Sequence, residues 1–187
     1  MFKHILVALD GSAASNAGFK SALQLASDQH ASVTGVSVID DAAVRANFDG
    51  AYLAASYVDT LYDSLCENGR AILAKAESAA RSAGVAFEPL LVESRGQTVA
   101  HAILQQARKA KVDVIVLGTH GRRGLSRMLM GSDAEAVVRE SRVPVLLVRS
   151  GERATRRRST AAMPAAASSR KRGTTAQPKP RPSRTQA

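Results

Sequence analysis

Tryptophan is absent from this chain of 187 residues, aromatics make up only 4% of it, and Cys66 is its one cysteine. With so few rings, the core has to be built from aliphatic side chains. One cysteine excludes an internal disulfide framework and a cysteine-built zinc site, and it fits a reducing, cytoplasmic setting. Cys66 falls within an apolar helical pattern, which reads as a buried structural thiol. No apolar run approaches the ~18–20 residues a membrane span needs. The opening Met1–Leu9 has no small-residue cleavage site and reads as a strand, not a signal peptide. Histidines occur only at positions 4, 30, 101 and 120, without metal-ligand spacing. There is no G-x4-G-K-[ST] phosphate loop and no G-x-S-x-G nucleophile elbow. No residue stands out as a base that would position a water. Binding is therefore favoured over turnover, with slow hydrolysis as the upper bound.

What the chain does have is basic charge, unevenly placed. Of 26 Lys and Arg, 16 lie in residues 1–150 beside 15 acids, so this body is nearly neutral. Residues 151–187 hold the other 10 basic residues and one acid, Glu152, which accounts for almost all of the net charge of +10. That segment is rich in Ala, Ser, Thr and Pro, and Met163 is its only large apolar residue. It cannot bury enough surface to offset the entropy of ordering. The expected organisation is a domain over 1–149 followed by a disordered basic tail over 150–187. A polycation without aromatic residues points to weak, nonspecific contact with nucleic acid phosphates, or to no role beyond solubility.

The body alternates two periodicities. Strand patterns cover Ile5–Leu9, Ser32–Ile39, Ala86–Val92, Val114–Leu117 and Val143–Arg149. Helical patterns cover Ala13–Gln29, Tyr52–Ala83 and Gln97–Ala110, and Ala134–Arg139 is a segment of good helix formers. Asp40–Gly50 reads as an irregular loop, and Gly84 as the stop of the long helix. This alternation, with aliphatic strands, predicts an α/β fold: an open parallel sheet, doubly wound, with helices on both faces. Ligands in such folds sit beyond the carboxyl ends of the strands, where the strand order reverses.

The densest local signal is the spacing G-x2-G-x9-G-S formed by Gly118, Gly121, Gly131 and Ser132, directly after the fourth strand. Ser132, with Glu135 three positions on, reads as a capping box opening the next helix. A glycine turn leading to a helix N-terminus suits a phosphate. The same spacing also fits two ordinary connecting loops. Asp10, after the first strand, fits either a ribose-binding carboxylate at the same crevice or a turn and cap residue. The trio Arg122, Arg123 and Arg127 fits either phosphate neutralisation or a solvated loop face, and Met128-Leu129-Met130 reads as packing or as an apolar lid.

These motifs, in this order, resemble the universal stress protein family. The resemblance rests on Ile5-Leu6-Val7-Ala8-Leu9-Asp10-Gly11-Ser12, Val38-Ile39-Asp40, the G-x2-G-x9-G-S pattern, and Val143-Pro144-Val145-Leu146-Leu147-Val148. It spans 1–149. It implies an open five-stranded parallel sheet in the order 3-2-1-4-5, of the adenine nucleotide alpha hydrolase-like type, and a homodimer through Val143–Val148. It also implies an adenine-nucleotide-binding regulatory module in stress response, with ATP, alone or with Mg2+, as ligand. Asp10 would meet the ribose and the backbone of Val38 the adenine. Gly118, Gly121, Gly131 and Ser132 would surround ribose and phosphates, with His120 and Arg122 in the same loop. One position departs from the pattern: Asp133 stands where ATP-binding members carry a small or apolar residue. Its charge would repel a triphosphate, and this keeps a dimeric interaction protein without nucleotide in play.

Overall fold

The computed structural model describes residues 1–41, 55–119 and 130–150. Five strands are joined by four helices among them: β1 (His4–Ala8), α1 (Ala13–Gln29), β2 (Ser32–Ile39), α2 (Ala55–Ser82), β3 (Phe87–Glu93), α3 (Val99–Lys109), β4 (Val114–Gly118), α4 (Ser132–Glu140) and β5 (Val145–Val148). The strands form one sheet in the order β3-β2-β1-β4-β5, and every neighbouring pair is parallel. The expected architecture and strand order are thus the observed ones. Helix α1 and strand β2 begin and end at the expected residues. The part of the expected loop beyond Asp41 and the expected helix start at Tyr52 lie outside the described residues.

The period-2 alternation of the strands divides the core in two. Ile5, Val7 and Leu9 of the first strand region join Val114 and Val116 under α1 and α2, where Phe19, Ala22, Ala26, Leu73, Ala76 and Ala80 complete the layer. Leu6, Val36, Ile115 and Leu117 face the other way and pack on Ala100, Ile103, Leu104 and Ala107 of α3 and on Ala134 and Val137 of α4. Alternate residues of a strand point to opposite faces, so an aliphatic run fills both layers at once. Alanines on the helix faces let the helices lie close to the sheet. Among the described residues, Phe19 and Phe87 form an aromatic pair, meeting edge to face with centroids 5.8 Å apart. A methyl group at Gly35 would come within 2.3 Å of the Phe87 ring, so that glycine makes the space for it.

The amino ends of the strands are tied by polar contacts. Asp113 Oδ2 accepts the backbone N–H groups of Lys3 (2.6 Å) and His4 (2.9 Å). These bonds hold its carboxyl below the ordinary value of 3.8. The His4 ring lies 3.1 Å from the Ala110 carbonyl through Nδ1 and 2.8 Å from Thr34 Oγ1 through Nε2. His4 therefore has a structural role, bridging Ala110 and Thr34. Cys66 is buried, as expected.

Candidate functional site

The strand order reverses between β1 and β4, so the first strand has β2 on one side and β4 on the other. Both loops that leave the carboxyl ends of β1 and β4 therefore open at one crevice. Helix α1 sets how tightly they sit together. A Cβ at Gly118 would lie 2.6 Å from the Ala14 carbonyl carbon and 2.7 Å from the Ser15 nitrogen. Only glycine lets the first turn of α1 rest on the end of β4, and this brings the Asp10 turn beside the glycine loop. Gly118 thus has a packing reason that its loop context alone did not reveal.

Asp10 is half-buried. Its Oδ1 accepts the N–H of Ser12 at 2.9 Å, and its own N–H donates to Ser15 Oγ at 3.3 Å. Ser12 caps α1, accepting the Ser15 N–H at 3.1 Å. The carboxylate is thereby held by the turn at the mouth of the crevice. The bonds with Ser12 and Ser15 are those of the turn reading of Asp10.

The glycine loop is pinned at both ends. The Thr119 N–H donates to the Val148 carbonyl, and the Gly131 N–H donates to the Thr119 carbonyl, both at 2.9 Å. Residues 119 and 131 are therefore adjacent. His120, Gly121, Arg122, Arg123, Arg127, Met128 and Leu129 lie outside the described residues. Met130 packs against the α3–α4 layer.

One expectation is corrected at the helix start. The N-cap of α4 is Gly131, in extended backbone (φ −62, ψ 145), and Ser132 is the first helical residue. The capping box with Glu135 is replaced by a backbone arrangement, in which the Glu135 N–H donates to the Gly131 carbonyl at 2.9 Å. A glycine cap has no side chain to fold back over the first-turn N–H groups. Asp133 and Glu135 stand exposed in that turn. They complement the helix dipole and oppose any anion placed there.

Val38 reaches the crevice through its backbone. Pairing of β2 with β1 ends at Ala8↔Val36, and the Leu9 N–H donates to the Val36 carbonyl at 2.8 Å. On the other side the Ile39 carbonyl accepts the Ser94 N–H at 2.9 Å. Backbone groups alternate sides along a strand. The N–H and C=O of Val38 are therefore directed toward β1, past the point where β1 has turned away.

On the far side of β2, Tyr62 of α2 is drawn to Glu93 at the end of β3. The hydrogen bond to that carboxylate, then burial and the nearby Cys66, push the phenol well above its ordinary value of 10.0. The residue pair that sequence reading missed is Asp41 and Ser94, which lock the ends of β2 and β3 together. They are 53 positions apart, and no local spacing signals the contact.

The sequence of the chain matches the universal stress protein family over residues 1–149. The chain belongs to that family. Among curated members it is 33% identical over 149 residues to a universal stress protein of Methanocaldococcus jannaschii, covering 80% of this chain and 83% of that one. It is 33% identical over 151 residues to the universal stress protein YxiE of Bacillus subtilis, covering 80% of this chain and 100% of that one. A solved universal stress protein family structure from Burkholderia pseudomallei superposes with a TM-score of 0.62 at 34% identity, over 78% of this chain and 95% of the other. A universal stress protein in complex with cAMP (TM-score 0.57, 23% identity, 80% and 98% covered) shares the fold. So does one from Archaeoglobus fulgidus in complex with dAMP (TM-score 0.55, 21% identity, 78% and 97% covered). Among the described residues of this universal stress protein, no helix is long and apolar enough to cross a membrane.

Proposed function

We propose that this universal stress protein is an adenine-nucleotide-binding regulatory module of the stress response, with ATP as ligand. One observation carries the reading: the Asp10 turn and the loop closed by Thr119 and Gly131 emerge side by side where the strand order reverses. A carboxylate, a strand edge and a helix N-terminus then converge, matching the three parts of a nucleotide. Asp10 would accept hydrogen bonds from ribose hydroxyls. The Val38 backbone would face the adenine edge. Gly118, His120, Gly121, Arg122, Gly131 and Ser132 would surround the ribose and phosphates. Folded relatives with cAMP and dAMP support an adenine nucleotide as the ligand class.

The residues described fit the group, with one opposing element. The glycine cap and first turn of α4 offer N–H donors to phosphate oxygens. Asp133 in that turn adds a like charge, which Mg2+ bound to the phosphates would offset. The same aspartate favours a second reading, a homodimeric interaction protein that keeps the glycine loop for packing. Calorimetry decides between them. The parent protein should bind ATP, and Gly121→Val, which blocks close backbone approach, should weaken it at least tenfold, about 1.4 kcal/mol. Equal affinity in the two proteins sinks the pocket, and no binding by the parent leaves the interaction reading.

A further inference from the structure

The turn that ends β2 is built around Asp41. Its N–H donates to Ser94 Oγ at 3.3 Å, and its Oδ1 accepts both the Ser94 hydroxyl and the Gly96 N–H, the latter at 3.1 Å. Ser94 is 3% exposed. Its N–H donates to the Ile39 carbonyl, and its own carbonyl accepts the Gln97 N–H at 3.0 Å. Between these bonds the chain turns through two successive left-handed residues, Arg95 (φ 51) and Gly96 (φ 75). A left-handed arginine is an unfavourable local choice, kept where surrounding bonds over-determine it. Asp41 supplies one of those bonds.

The location gives this clip its meaning. Beyond Val36, β2 has lost β1 as a lateral neighbour, while its register with β3 runs on to Ile39↔Glu93. Among the described residues, the backbone pairing of the strand end that carries Val38 is with β3, and the clip extends that hold to Asp41. We propose that Asp41 is a positioning residue for base recognition. It acts through Ser94 and Gly96 to fix the strand end, so that the Val38 N–H and C=O meet the base at hydrogen-bonding angle. This rests on the nucleotide pocket proposed above. Adenine presents a donor at N6 and an acceptor at N1, whereas guanine presents an acceptor at O6 and a donor at N1. A rigid backbone pair accepts one pattern and leaves the other unmatched. A strand end free to shift tolerates both, because hydrogen bonds weaken steeply off-axis.

The test is titration of the full chain with ATP and with GTP, in the parent, Asp41→Ala and Asp41→Asn. The parent should prefer ATP. Asp41→Ala should lose at least fivefold in ATP affinity and at least fivefold in the ATP-to-GTP ratio. Asp41→Asn keeps an oxygen that can accept from Ser94 and Gly96, and it should hold the ratio within twofold of the parent. Should Asp41→Ala fail to fold, Ser94→Ala, which removes only the hydroxyl half of the clip, carries the same expectation. A ratio unchanged in the alanine variant, equal losses for both nucleotides, or a parent that binds the two alike would overturn the inference and leave the pocket standing. A parent that binds neither nucleotide overturns the pocket reading and this inference with it.

Discussion

Replacing Gly118 by alanine adds one methyl group where the fold has no room for it. That carbon would sit 2.6 Å from the Ala14 carbonyl carbon, 2.7 Å from the Ser15 nitrogen and 2.8 Å from the Ala14 Cβ. Two of the three atoms are helix backbone and cannot rotate aside. To restore an unstrained contact of ~3.5 Å, α1 must retreat from β4 by roughly 1 Å. Overpacking of this kind costs about 1–3 kcal/mol. For a domain of this size, 2 kcal/mol lowers the melting temperature by about 4–8 °C. Ser15 also receives the Asp10 N–H, so the retreat should disturb the crevice and weaken ATP along with stability. Gly18→Ala is the control from the same interface. Its new carbon would find its nearest neighbour, the Gly118 nitrogen, at an ordinary 3.5 Å, and it removes a helical glycine. That change should stabilise by up to about 1 kcal/mol. Urea unfolding followed by circular dichroism measures both. A Gly118→Ala variant within about 0.5 kcal/mol of the parent, the range of a surface change, would refute the close-approach argument. So would a Gly18→Ala variant destabilised to the same extent.

Three further outcomes follow from other parts of the chain. Asp113→Ala removes a carboxylate whose folded-state value is depressed by the Lys3 and His4 N–H groups, so the parent's advantage is present above the ordinary value of 3.8 and lost as pH falls below it. Unfolding curves of the two proteins should converge in acid, and a gap that widens there would contradict the assignment. Val145–Val148 is the last strand of the sheet, and Leu146 on it is 39% exposed. Residues 1–150 alone should form a homodimer through Val143–Val148, and a monomer by light scattering at micromolar concentration would refute this. The full chain should shift DNA or RNA in a gel weakly, without sequence preference, and with steep salt dependence, while residues 1–150 should not. Equal shifts by both would place the basic site in the Arg122–Arg127 segment, and no shift by either would refute a role in nucleic-acid contact.

The bounds of α1 and β2 were legible because each has one dominant pattern and sharp stops, whereas the last strand, expected over Val143–Arg149, runs only over Val145–Val148. Ser12 caps α1 ahead of the expected start at Ala13, whereas Thr98, which the pattern placed inside a helix beginning at Gln97, is the side-chain cap of α3. The strand order was not contained in that periodicity, and it came from resemblance to a family. The start of α4 was misread because serine outranks glycine as a cap in isolation. Here the bond from the Gly131 N–H to Thr119 overrides local preference and sets the cap one residue earlier. Gly118 was noticed for its place in a loop, yet the atoms that require it belong to a helix about 100 residues away. The Asp41–Ser94 clip was invisible for a similar reason. Aspartate and serine are common in turns, and only the parallel pairing of β2 with β3 brings these two together.

The central position of β1 also has a consequence for biosynthesis. Ile5 pairs with Val114, so the innermost strand is made first and meets its second neighbour 109 residues later. At 5–20 residues per second, one edge of Ile5-Leu6-Val7 waits roughly 5–20 s for its partner. Such non-local pairings slow folding, and an open aliphatic edge invites other chains. A ribosome stalled between β2 and β4 would therefore leave one aliphatic edge of the innermost strand without its second neighbour.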